Sequence, residues 1–101
     1  MPKRAVDDSS KFRIFETDEF QKRLVKLPAR DARFIQRKLA EYVYPQLRAD
    51  PFLGPNIKKL RGYQPDTWRY RVGRFRIFYI VDQEELIVSM LTVDDRKDAY
   101  R

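Results

Sequence analysis

Apolar positions along this chain change period twice, and the changes mark its elements. Phe12-Arg13-Ile14-Phe15 is a short apolar run that predicts a first strand. Phe20, Leu24 and Leu27 then recur at helical spacing behind Asp18 and Gln21, a pair spaced as a capping box, and Pro28 closes this helix. A second, longer amphipathic helix is predicted over 29–47, with Ile35, Leu39, Tyr42, Val43 and Leu47 along one stripe and Arg30, Arg33, Arg37 and Lys38 on the polar side. Pro45 should end or kink it near Tyr44. Asp50-Pro51-Phe52-Leu53-Gly54-Pro55-Asn56 reads as a turn-rich linker. Beyond it the period falls to two, predicting strands over about 67–72, 74–82 and 85–93, with turns at Gly73 and Asp82-Gln83-Glu84. Residues 1–11 are polar and expected to form a mobile tail, and Asp94 to Arg101 a short charged one. The expected fold class is α+β: a small antiparallel sheet in the order β-α-α-β-β-β, with both helices on one face, in a single domain over 12–101.

Composition narrows the chemistry. The chain has 101 residues, 43% apolar and 14% aromatic, enough for one folded core. It contains no cysteine and no histidine, which excludes disulfides, thiol nucleophiles, imidazole acid–base catalysis and the usual zinc ligands. No apolar run approaches the ~20 residues of a membrane span, and MPKRAVDDSSK lacks the apolar core of a secretory signal. A cytoplasmic protein is expected.

Charge is concentrated. Residues 58–79 hold seven basic side chains against the single acid Asp66, +6 of the chain's formal +7. Within the strands the aromatics and arginines alternate. Trp68, Tyr70 and Val72 face one way and Arg69 and Arg71 the other; Phe75, Ile77, Tyr79 and Val81 share a face opposite Arg76. Solvated arginines on an open sheet face are common. A cluster this dense, on planar guanidinium forks that grip phosphate oxygens two at a time, points instead to a nucleic acid, RNA first. The aromatics match the buried side and read as core, except Phe78, which shares a face with Arg76 and either stacks on an unpaired base or packs against a loop or the C-terminal tail. Lys58, Lys59 and Arg61, in a loop or helix end, extend the basic track, and Arg74 sits at the turn within it. Arginine is always protonated and is a poor general base. The carboxylates of Asp94 and Asp95 are better bases but would repel a phosphate.

Four segments in order, Lys59-Leu60-Arg61-Gly62, Trp68-Arg69-Tyr70-Arg71-Val72-Gly73, Phe75-Arg76-Ile77-Phe78-Tyr79 and Arg96-Lys97-Asp98-Ala99-Tyr100-Arg101, resemble the RelE-like toxins of the RelE/ParE superfamily, from type II toxin–antitoxin pairs. The resemblance covers roughly residues 12–101. It implies a RelE-like microbial ribonuclease fold and an mRNA interferase that cuts mRNA in the ribosomal A site. The ribose 2′-OH attacks the adjacent phosphate without metal or other cofactor. The carried-over catalytic positions are Arg69, Arg71, Arg76, Arg96 and Tyr100, with Lys58, Lys59, Arg61, Arg74 and Phe78 as RNA-binding residues. The implied partners are a small, acidic, RelB-like antitoxin, the ribosome with its mRNA, and operator DNA for the toxin–antitoxin complex; no membrane is involved. Two further readings remain: a ParE-like inhibitor of DNA gyrase that cuts no RNA, and a basic RNA-binding module without toxicity.

Overall fold

The structure, a computed structural model, describes residues 11–95. Strand β1 (Arg13–Glu16) leads into helix α1 (Asp18–Lys26). Helix α2 (Ala29–Lys38) continues through a π-helical turn (Leu39–Val43) into α3 (Tyr44–Ala49), so the second predicted helix is one rod. Four strands follow: β2 (Ile57–Lys59), β3 (Trp68–Val72), β4 (Phe75–Asp82) and β5 (Ile87–Asp95). They form one five-stranded sheet in the order β1-β5-β4-β3-β2.

The α+β architecture stands, with three corrections to the expected sheet. It is mixed rather than antiparallel, because β1 runs parallel to β5. The connection from β1 passes through both helices and three strands before β5 returns beside it, which leaves β5 free to run in either sense. Lys58 and Lys59 lie in strand β2, antiparallel to β3, and not in a loop or helix end. Asp94 and Asp95 belong to β5 and are not part of a tail: they pair with Arg76 and Phe75 of β4.

Local chemistry sets the boundaries. The cap of α1 is Thr17 rather than Asp18. Its hydroxyl accepts from the Phe20 amide at 3.1 Å and donates to the Met90 carbonyl at 2.8 Å, so one side chain caps the helix and pins it to β5. Pro45 does not end the second helix. It lacks the N–H that the carbonyl four residues back requires, and the strain is taken up one turn earlier, where the Tyr44 amide reaches the Leu39 carbonyl five residues back. The extra residue resets the apolar stripe. In an unbroken α-helix Tyr42 would lie within about 20° of Ile35 and Leu47 about 120° away. The π turn slips the face by about one residue, ~100°, which buries Val43 and Leu47 completely and turns Tyr42 out to 57% exposure. At the β3–β4 turn Gly73 has φ +58° and Arg74 does not, the pattern of a two-residue hairpin that favours glycine first. Asp82 closes the β4–β5 turn by accepting from the Glu84 and Glu85 amides, both at 3.0 Å.

The core lies between the helices and the inner face of the sheet. Phe20, Leu24, Ile35, Leu39, Val43 and Leu47 meet Tyr70, Val72, Phe75, Ile77, Tyr79, Val88, Met90 and Val93. Tyr79, fully buried, donates its hydroxyl to the Pro51 carbonyl at 2.7 Å and fastens the linker to the sheet. Both helices thus cover one face, and among the described residues no helix covers the other.

Candidate functional site

The alternation that sends Tyr70, Val72, Phe75, Ile77 and Tyr79 inward sends Arg69, Arg71, Arg76 and Phe78 to the open face. Strand register decides which of these meet. Lys58 is paired with Arg69, Arg69 with Phe78, and Arg71 with Arg76; Arg76 is paired in turn with Asp94, and Phe78 with Thr92. Side chains in directly opposed positions have Cβ atoms about 4.5–5.5 Å apart. Four cations therefore sit on three adjacent strands, with Lys58 facing Arg69 and Arg71 facing Arg76. Like charges placed so oppose folding, and an anion lying across them relieves the repulsion. Arg71 is exposed, Arg69 and Arg76 are half-buried, and the Nε atoms of the latter two are shielded from solvent. The guanidinium stems are packed, which limits the motion of the forks.

The other sequence-predicted residues go elsewhere. Arg74 leaves the cluster and turns to the helix side of the sheet, where its Nε donates to both Asp95 carboxylate oxygens at 3.0 and 3.1 Å and its Nη2 to Asp31 at 3.0 Å. Those bonds, Asp95 first, hold its guanidinium pKa above the ordinary arginine value. Lys59 pairs with Asp66 at 3.2 Å and lies over the Trp68 ring. Arg61 is exposed in the loop after β2, and Phe78 is half-buried on the open face. Arg96 and Tyr100 lie outside the described residues.

Arg23 is a residue that sequence reasoning missed. It reaches from α1 to Asp94 at 2.8 Å and donates its Nε to the Val93 carbonyl at 3.2 Å. Asp94 thus stands between Arg23 and the Arg76 position, held as part of an ion pair. A second feature is a groove of about 270 Å³ at the edge of β3, lined by Lys38, Tyr42, Asn56, Tyr70 and Arg71 among others. The Lys38 ammonium lies over the Tyr42 ring, 4.8 Å from its centroid. Nothing in the spacing of these residues announced the groove, since it depends on the π turn that rotates Tyr42 outward.

Chemically the open face can do two things. It can bind a phosphodiester through forked N–H donors, and it can stabilise negative charge that grows on that phosphate. It cannot take a proton from a hydroxyl through Arg69, Arg71 or Arg76.

Comparisons with known proteins bear on the fold and the family. No curated protein matches in sequence. Among solved structures, the RelBE2 toxin–antitoxin complex of Mycobacterium tuberculosis matches with 28% identity and a TM-score of 0.67, over 85% of this chain and 92% of that one. The RelB-RelE complex of Methanococcus jannaschii matches with 26% identity and a TM-score of 0.57, over 85% and 94%. The free E. coli RelE toxin, in an arginine-to-alanine double mutant, shares the fold at 22% identity and a TM-score of 0.62, over 89% and 88%. The family model for the ParE toxin of the type II toxin–antitoxin system parDE matches residues 14–100. With nearly the whole chain inside that family and its fold shared with RelE structures, the protein belongs to the ParE toxin family and is a type II toxin of the RelE/ParE superfamily.

Proposed function

We propose that this toxin is a ribosome-dependent endoribonuclease of the cytoplasm, which cuts mRNA in the A site by attack of a ribose 2′-OH on the adjacent phosphate. The observation that carries this reading is the cross-strand register that places Lys58, Arg69, Arg71 and Arg76 together on the open face. The phosphate lies across Arg71 and Arg76, with Arg69 and Lys58 on the neighbouring backbone. As the 2′-oxygen adds to phosphorus and the bond to the 5′-oxygen breaks, leaving a 2′,3′-cyclic phosphate and a free 5′-hydroxyl, charge builds on the non-bridging oxygens, and fixed guanidinium donors stabilise it more than they stabilise the starting diester. Removing one such donor in other enzymes costs about 10²–10³ in rate. Phe78, beside Arg69, offers a ring for a flanking base. Arg96 and Tyr100 complete the proposed set as a further phosphate ligand and a proton-transfer group. Asp94, salt-bridged to Arg23, acts to hold the end of β5 in place.

A cognate antitoxin is the proposed partner. The solved complexes of the related toxins contain RelB antitoxins, and a chain of net charge +7 favours an acidic, RelB-like protein through faster encounter. The toxin–antitoxin complex would bind operator DNA.

The test is induced expression of this chain alone, with primer extension on a translated mRNA. Codon-phased cuts that disappear when initiation is blocked are expected, and Arg76→Ala should remove both the cuts and the growth arrest. An unchanged cutting pattern in Arg76→Ala sinks the mechanism. A second reading is gyrase inhibition, favoured by the family model being that of a ParE toxin. Growth arrest with intact mRNA and inhibited supercoiling would select it.

A further inference from the structure

Helix α2 carries a second concentration of positive charge that the sheet site does not use. At 100° per residue, Arg30, Arg33 and Arg37 fall within about 60° of arc, opposite Ile35, which α2 buries completely. All three are exposed, and none has an ion pair or side-chain hydrogen bond among the described residues. Asp31, the one acid of α2, is turned away from them onto Arg74 at 3.0 Å. Glu41 follows about one turn beyond the stripe. Because α2 covers the inner face of the sheet, the stripe lies on the far side of the helix layer from Arg69, Arg71 and Arg76. An RNA strand held on the open face does not neutralise it.

We propose that Arg30, Arg33 and Arg37 form a second RNA contact, which grips the phosphate backbone of a double-helical segment while the sheet face holds a single strand. The composition of the stripe selects this occupant. Along α2 its solvent-facing residues are Ala29, Arg30, Arg33, Gln36 and Arg37, and none is aromatic or a large aliphatic; the exposed Tyr42 lies beyond α2, in the π turn, with the Lys38 ammonium over its ring. Unpaired bases are held by stacking on aromatic rings, and protein interfaces surround their arginines with aromatic and apolar side chains at the centre. A duplex needs neither, since its phosphates and 2′-hydroxyls are read by shape and charge. The stripe spans about 10 Å along the helix axis, enough for more than one phosphate. The choice of RNA over DNA rests on the proposed function.

The test measures binding of the full chain, by fluorescence anisotropy across a salt series, to an RNA duplex, a DNA duplex of the same sequence and a 2′-O-methyl single strand that cannot be cut. The triple variant Arg30→Gln/Arg33→Gln/Arg37→Gln keeps helix-forming side chains. It should lose RNA-duplex affinity, with the slope of log K against log salt falling by about 2–3, roughly 0.9 per lost phosphate contact, while single-strand affinity is kept. The double variant Arg71→Gln/Arg76→Gln should do the reverse. An unchanged duplex slope in the triple variant overturns the proposal. So does loss of DNA-duplex binding with RNA-duplex binding intact, or a triple variant that escapes its antitoxin while still binding duplex RNA. Failure of the double variant to lose single-strand binding would count against the sheet site alone and leave the stripe standing.

Discussion

Tyr79 and Tyr44 show how much one hydroxyl can hold in a core of this size. Burial, first of all, raises the pKa of both above the ordinary tyrosine value, and Tyr44 is raised further by donating to the Glu16 carboxylate. Both keep their proton more firmly in the folded than in the unfolded chain. Their contribution is therefore full below the unfolded value of about 10 and is lost as pH rises past it toward the folded value. Near-ultraviolet titration should find these two of the six tyrosines un-ionised until the protein unfolds. Tyr79→Phe leaves the Pro51 carbonyl without its donor and should cost about 1 kcal/mol in urea denaturation, while flattening the alkaline slope. Ionisation of Tyr79 along with the exposed tyrosines would contradict its burial. At this scale the sequence told little: it marks Tyr79 as inward-facing, but its acceptor lies 28 residues away in a linker.

Among the elements, those whose evidence is local were legible and those that depend on distant partners were not. The alternation in Trp68–Val72 and Phe75–Asp82 announces which face is buried, and with it the grouping of Arg69, Arg71 and Arg76. Strand β2 has three residues, Ile57-Lys58-Lys59, too few to alternate visibly, and exists because β3 offers an edge. The π turn is a compromise between Pro45 and the burial of Val43 and Leu47, which no single-helix periodicity contains. Asp94 and Asp95 looked like a tail because their partners, Arg23 and Arg74, lie 71 and 21 residues away. Thr17 tests the joint between two elements. Thr17→Ala removes both the cap of α1 and the bond to Met90 and should cost about 1–2 kcal/mol, with Thr17→Ser recovering most of it. Equal denaturation midpoints for wild type and Thr17→Ala would show that α1 needs no such anchor.

Taken as a whole molecule, the toxin carries its function as an electrostatic cost. Arg71 faces Arg76 across two strands, a juxtaposition of like charge that under the proposed function keeps a phosphate site ready. Arg71→Gln should therefore raise stability by a few tenths of a kcal/mol at low salt, with the gain fading as salt screens it, and under the proposed function it should also abolish mRNA cutting. A destabilised Arg71→Gln would mean that this arginine is a structural member of the sheet.

The strand order carries one more consequence, for the birth of the protein. β5 lies between β1 and β4, yet it is the last of these five strands to be synthesised, and the Thr17–Met90 bond spans 73 residues. Until β5 is available, β1 has no strand to pair with and the core lacks Val88, Met90 and Val93. Contacts this distant in sequence form late in folding. A nascent chain still short of β5 cannot complete the sheet, so a cell making the toxin meets the finished five-stranded sheet only once β5 has emerged.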